Sequence, residues 1–186
     1  MRSPNYFVVK PYEDKLYNST KKIADKEIIM SSSIEDHLYV NRTAIVESVP
    51  DLYDGPIKKG NIVIVHHNVF RIYYDMKGVK KHSWNHYKDN IFLVEDHQIY
   101  LFKNECDTKW SAPSPYLFVT PVDRKDHTIA KVGPEEENVG VISYVSPNDR
   151  FSVGDTVVFE KDMEYEFEVD NQKMYRMQLK NLCMKL

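Results

Sequence analysis

The chain has 186 residues, a net charge of −3, 28% charged and 42% hydrophobic residues. That balance excludes a generally disordered chain, and no apolar run approaches the roughly 20 residues a membrane-spanning helix needs. With only 6 Gly it has neither a P-loop nor a dinucleotide-binding glycine pattern.

The aliphatic composition points to strands. Ile and Val together number 33 and Tyr adds 13, whereas Ala and Leu together number 13. β-branched and aromatic side chains fit a pleated, half-buried surface, while Ala and Leu favour helices. An all-β fold is expected. The N-terminus Met1-Arg2-Ser3-Pro4-Asn5 has no apolar signal core, and Cys106 and Cys183 form neither a disulfide framework nor a zinc pattern. Two plain thiols and a cytoplasmic location are the expectation. Residues 1–104 carry a net charge of +2 and residues 105–186 a net charge of −5, which argues against a nucleic-acid-binding domain in either half.

In chain order, the elements read as one unit written twice. Tyr6-Phe7-Val8-Val9-Lys10-Pro11 resembles Tyr116-Leu117-Phe118-Val119-Thr120-Pro121 at an offset of 110. Thr43 to Val49 resembles Val139 to Val145 at 96, and Lys59 to Val65 resembles Val153 to Phe159 at 94. Ile91 to Leu101 resembles Met174 to Met184 at 83. The order is kept and the offset only falls, so the first copy carries insertions of 14, 2 and 11 residues. Loops tolerate such length changes far better than strands do.

Each element has strand character. Ile62 to Val65 is a short continuous apolar run of the kind covered on both faces. Met163, Tyr165, Phe167 and Val169 alternate with Glu164, Glu166 and Glu168, which puts the glutamates in water. Asp170-Asn171 suits a tight turn into the return strand Met174 to Leu179. Gly60 and Gly154 precede the central strands where a turn requires positive φ.

At this point the unit resembles the GroES co-chaperonin family. The carrying residues are Ser152-Val153-Gly154-Asp155-Thr156-Val157-Val158-Phe159, preceded by Gly140-Val141-Ile142-Ser143-Tyr144-Val145 and repeated in the first copy with Gly60-Asn61. Neither copy has the Asp-Gly-Tyr-Gly turn typical of that family. The resemblance implies two GroES-like β-barrels in tandem. Barrel 1 spans 5–104, with a long loop at 15–40 and an extended hairpin at 75–89; a linker covers 105–114, and barrel 2 spans 115–186. It also implies a non-enzymatic, ring-forming co-chaperonin-like protein without cofactor or bound metal. In that family the first strand pairs with a neighbour's last strand; the matching segments here are Tyr6 to Lys10 and Leu182 to Leu186. The family's docking tripeptide falls on Ile28, Ile29 and Met30. An ordinary core strand is the plainer reading of those three residues.

The second copy's counterpart of the long loop, Lys125 to Asn138, ends in Glu135-Glu136-Glu137 and reads as a solvated acidic turn. The excess within Asp75 to Asp89 holds Lys77, Lys80, Lys81, His82, Trp84, His86, Tyr87 and Lys88. A solvated hairpin is the commonest fate of such a segment. Lys80, Lys81, Trp84 and Tyr87 are its candidates for a protein contact, and nucleic acid is a third use. His82 and His86 have i, i+4 spacing, but no Glu follows His82 as a metalloprotease requires. His66 and His67 would face opposite sides of a strand. The expected partners are copies of the chain and either a chaperonin or other virion proteins, because the same fold would serve as a phage capsid, collar or ring component.

Overall fold

The structure is a computed structural model that describes residues 2–18, 20–23, 26–29, 39–123, 135–147, 149–163, 165–170 and 172–186; for 20–23, 26–29, 123 and 135 the backbone alone is described. Strands take up 48% of the chain, about twice the share usual in globular domains, and no α-helix occurs among the described residues. The fold is all-β.

The chain divides into two compact units, Met1–Lys109 and Trp110–Leu186. Unit one holds β1 (Phe7–Pro11), β2 (Thr20–Ile23), β3 (Lys26–Ile29), β4 (Thr43–Ser48), β5 (Ile62–Val65), β6 (Ile72–Tyr74), β7 (Lys80–His82), β8 (His86–Lys88), β9 (Ile91–Val94) and β10 (Ile99–Lys103). Unit two holds β11 (Tyr116–Asp123), β12 (Glu135–Tyr144), β13 (Thr156–Phe159), β14 (Tyr165–Val169), β15 (Gln172–Gln178) and β16 (Leu182–Lys185). The first unit's main sheet runs β10-β5-β4-β1-β9-β8, and the second runs β16-β13-β12-β11-β15-β14. The two orders are the same, strand for strand.

The registers agree as well. Val9 faces Val46 in unit one and Val119 faces Ile142 in unit two, which are the offsets of 110 and 96 read from the sequence. The register slips one residue earlier in both, between Val8 and Val9 and between Phe118 and Val119. Thr43 pairs with Ile64 as Val139 pairs with Val158, and Val8 with Leu93 as Phe118 with Arg176. The turn into the central strand is likewise shared. Gly60 N–H donates to the Val46 carbonyl and Gly154 N–H to the Ile142 carbonyl, each at 2.8 Å. Asn61 Oδ1 accepts from Lys58 N–H at 2.7 Å and Asp155 Oδ2 from Ser152 N–H at 3.0 Å. Asn61 therefore does the structural work of the aspartate. A hydrogen bond from Lys185, 2.7 Å away, and the Ser152 N–H hold the Asp155 carboxyl below its ordinary range.

Each sheet buries one face on its own core, and the cores use equivalent positions. Unit one packs Phe7, Val9, Val46, Val63, Val65, Phe92 and Val94; unit two packs Leu117, Val119, Ile142, Val157, Phe159, Tyr175 and Met177. Ile57 and Phe151 sit at matching places beneath them. Where unit two has the larger Phe151 and Phe159, unit one adds Val69 and Phe70 from its inserted segment. The two cores thus reach close packing with different residues. The opposite faces are buried too, through Val8, Tyr100 and Leu101 in unit one and Phe118, Phe167 and Met174 in unit two. This explains why β1, β5 and β10 read as continuous apolar runs instead of alternating ones.

Several expectations are corrected. The sheets are open, not closed barrels: their end strands, β10 and β8 or β16 and β14, share no ladder with each other. β8 is only three residues long and pairs β9 with a register irregularity, so it cannot carry a closing seam. β1 lies inside its sheet, with β4 on one side and β9 on the other. Val8 and Val9 are paired on both sides, so that stretch has no edge left for a neighbour's strand. The segment 75–89 is not one hairpin: β6 pairs with β7, while β8 pairs with β9 in the main sheet. The division between Lys109 and Trp110 falls inside the expected linker at 105–114, and Trp110 Nε1 donates to Asp170 Oδ2 at 3.2 Å within unit two. Glu135-Glu136-Glu137 open strand β12 instead of forming a turn.

Gly60 and Gly154 have φ of +87° and +96°, and an added Cβ at either position would meet nothing within 4 Å. The cost of Gly60→Ala or Gly154→Ala is therefore conformational alone, about 1–3 kcal/mol each. Urea unfolding should show a lowered midpoint for each variant; an unchanged midpoint would show that neither turn constrains its sheet.

Candidate functional site

Thirteen bulky apolar side chains are exposed among the described residues, and five of them, Tyr74, Met76, Val79, Trp84 and Tyr87, fall within residues 74–87. β6, β7 and the turns around them have no counterpart among the described strands of unit two, while Tyr87 lies on β8, which corresponds to β14. Lys77, Lys80, Lys81 and Lys88 are exposed around the segment. It forms an apolar and basic arm.

The arm is rooted. Val69, Phe70 and Ile72 at its base are buried, with Phe70 edge-on to Phe92 at 4.8 Å between ring centroids. The Tyr17 hydroxyl accepts from Ile72 N–H at 2.8 Å, and Ser83 N–H donates to the Arg71 carbonyl at 3.0 Å. The tip is fixed by Asp75, whose Oδ1 accepts from the N–H groups of Lys77 and Val79, both at 2.9 Å. Gly78 takes the left-handed φ of +74° that this turn needs. Met76 is left fully in water and Val79 half so.

Trp84 sits in the turn between β7 and β8 and is 99% exposed. Its neighbour Asn85 donates from Nδ2 to the Leu93 carbonyl at 2.7 Å and to Gln98 Oε1 at 2.8 Å. The turn is held on both sides, so the indole is presented from an ordered backbone. An ordered aromatic loses little conformational entropy on docking, which is why such residues anchor interfaces. Tyr87 lies on edge strand β8. The sequence candidates Lys80, Lys81, Trp84 and Tyr87 thus come from three successive elements of one segment. Tyr74, Met76 and Val79 were missed. Their signal was Asp75 followed three residues later by Gly78, a turn signature that puts its flanking residues outside.

Ile28 and Ile29 lie on β3, which pairs with β2 as Lys21 to Ile28 and Thr20 to Ile29 in a separate two-stranded hairpin. Met30 lies outside the described residues. The base of this long segment is closed by a bridge between Tyr17 and Val40.

The histidines make no metal site: among the described residues no group of three His, Cys, Asp or Glu could hold an ion. His66 and His67 follow β5 in a turn and stack at 4.2 Å instead of facing opposite sides of a strand. His82 and His86 stack at 4.3 Å, and His86 Nε2 lies 2.9 Å from the Asp89 carbonyl. Partial burial, then the neighbouring His86 and Lys80, push the His82 imidazole below its ordinary value of 6.5. An open cleft of about 660 Å³ beside β1 and β4 is lined by Arg2, Lys10, Glu47, Asp51 and Lys59, with Lys10 and Glu47 paired at 3.1 Å. Such mixed, paired charges describe a solvated groove.

No protein-family model matches the chain, and no curated protein sequence matches it at a significant level.

The His82 geometry has a measurable consequence. Its ring should titrate below 6.5, and His86→Ala should move it back toward that value without fully reaching it, since burial remains. Because the unfolded chain takes this proton first, folded stability falls as pH drops from 6.5 toward the folded value. Proton NMR of the imidazole resonances against pH checks this; a His82 midpoint at or above 6.5 would contradict the arrangement.

Proposed function

We propose that the chain is a non-enzymatic docking and assembly protein, built from a GroES-like β unit occurring twice in tandem. It uses no cofactor. The observation that carries this reading is the rooted arm on unit one, which holds Met76, Val79, Trp84 and Tyr87 in water amid four exposed lysines. Exposing a fixed tryptophan forgoes the burial of a large apolar surface, and partner contact is what recovers it. The shared strand order and register support the doubled unit.

Two forms of docking follow from different segments. In the co-chaperonin form, Ile28, Ile29 and Met30 engage a chaperonin; the separate β2–β3 hairpin that carries the two isoleucines supports it. In the virion form, the chain is a ring, collar or capsid accessory component, and the arm is its contact. The preformed turn under Trp84 favours this second form, because a contact already ordered suits a permanent particle. Neither form involves a membrane, and nucleic acid is the weaker partner because the arm's bulky apolar groups outnumber its lysines.

Co-sedimentation with purified chaperonin and ATP separates the two. The co-chaperonin form requires binding that is lost in an Ile28→Ser, Ile29→Ser, Met30→Ser variant and kept in Trp84→Ala. The virion form requires no chaperonin binding, fixed stoichiometry in purified particles, and a loss of incorporation of about ten-fold or more on Trp84→Ala, the size expected of an interface anchor. Absence from both assemblies would end the docking reading.

A further inference from the structure

Unit one carries a second exposed apolar feature besides the arm. A cleft of about 300 Å³ lies between Pro4, Tyr6, Leu52 and Tyr53, with Glu95 and Asp96 on its border. Its floor is the buried Phe7, with Tyr53 edge-on at 4.8 Å between ring centroids. Leu52 is 78% exposed and Tyr6 39%. The walls are tied together: Asp51 N–H donates to the Ser3 carbonyl at 3.1 Å and Leu52 N–H to the Pro4 carbonyl at 3.3 Å. The rim is acidic, for Asp51, Asp54, Glu95 and Asp96 are all exposed. Glu95 lies 3.1 Å from His97 Nδ1, and both remain largely in water. Burial raises the Tyr53 phenol above its ordinary value, a hydrogen bond with the Ile57 backbone offsets part of the rise, and Asp96 adds to it, so the rim charge reaches the cleft wall.

The arm is the counterpart of this cleft in charge and in shape. No acidic residue occurs from position 76 to 88, where Lys77, Lys80, Lys81 and Lys88 are exposed around an indole that stands clear of the surface. Arm and cleft are also neighbours. Gln98 Oε1 accepts from Asn85 Nδ2 at 2.8 Å and from Glu95 N–H at 3.1 Å. One side-chain oxygen thus joins the turn that presents Trp84 to the strand end that carries the rim. Trp84 does not fold back into the cleft of its own chain, since it is 99% exposed. The offset of 83 places Gln178 and Leu179 of unit two where unit one has Glu95 and Asp96. These two rim acids are therefore peculiar to unit one, as β6 and β7 are.

A knob and its complement side by side on one body suit a two-fold pairing. Turning a second copy about an axis between them brings each arm to the other's cleft, and the same contact forms twice. The indole then fills an apolar centre while lysines meet carboxylates at the rim, the usual layout of an anchored interface. Like charges disfavour the wrong pairings, arm against arm and cleft against cleft. We propose that two copies of the chain dimerise reciprocally, each seating Trp84 in the acidic-rimmed cleft between Tyr6 and Leu52 of the other. The inference rests on the docking reading above and names a second copy as the partner of the arm.

Sedimentation velocity on the full chain tests it, at low and high salt over a wide concentration range. Wild type should form dimers and nothing larger, more weakly as salt screens the rim. Trp84→Ala should weaken dimerisation by about ten-fold or more. One variant with Lys80→Glu, Lys81→Glu and Lys88→Glu, and another with Asp51→Lys and Asp96→Lys, should each be mainly monomeric. An equimolar mixture of these two should dimerise again, because each reversed feature then meets a complementary one at both contacts; a fold damaged by the substitutions could not recover in this way. Wild type that stays monomeric throughout overturns the proposal, and the docking reading is then judged by the chaperonin and particle experiments alone. Growth beyond two copies, or dimers that Trp84→Ala and both charge reversals leave intact, overturns this interface while keeping the chain an assembling protein.

Discussion

The pairing of Val9 with Val46, and of Val119 with Ile142, each one residue after a register slip, is the constraint on which both units depend. A strand's side chains alternate between faces, so a shift of one residue would turn Phe7, Val9 and Val46 out of the first core and Leu117, Val119 and Ile142 out of the second. The slip fixes which residues face inward at the centre of each sheet, and the flanking strands follow from that choice. Gly60 and Gly154, in left-handed backbone, then deliver the next strand in the matching position.

Because the frame is shared, the differences between the units are informative. Ala44 in unit one stands where unit two has Gly140, at which an added Cβ would come within 3.0 Å of Val119. Val69 and Phe70 join the core of unit one, and Phe151 and Phe159 belong to that of unit two. These are exchanges within a packed interior and change nothing outside. The arm from Ile72 to Trp84 is of another kind: its base is buried, its tip is not, and the described sheet of unit two has no such arm. The acidic residues of β14 are a second such difference. Both lie on the surface, outside what the shared frame needs, and function lives in such additions more than in the fold itself.

Much of the fold was legible because register is carried by residue patterns that survive substitution. The offsets of 110, 96, 94 and 83 reappear as ladder partners, since Gly-Asn and Gly-Asp turns and alternating apolar residues leave marks in sequence. Sheet closure was not legible. It depends on whether end strands meet, and nothing in Ile99 to Lys103 or His86 to Lys88 states that they do not. Of the candidate site, Trp84 and the lysines stood out by residue type. The division of 75–89 between two hairpins did not, because the Trp84 turn is anchored through Asn85 to the Leu93 carbonyl and Gln98 Oε1, outside the segment. The stacking of His66 on His67 was missed for a similar reason: the strand ends at Val65, one residue before them.

The most direct measurement is of cross-strand nuclear Overhauser contacts in the full chain. One repeated register requires backbone contacts linking Val9 with Val46 and Val119 with Ile142, and an irregular step just before each, after Val8 and after Phe118. Contacts that place Val119 opposite any residue other than Ile142, or a ladder in unit two without the irregular step, would contradict the account.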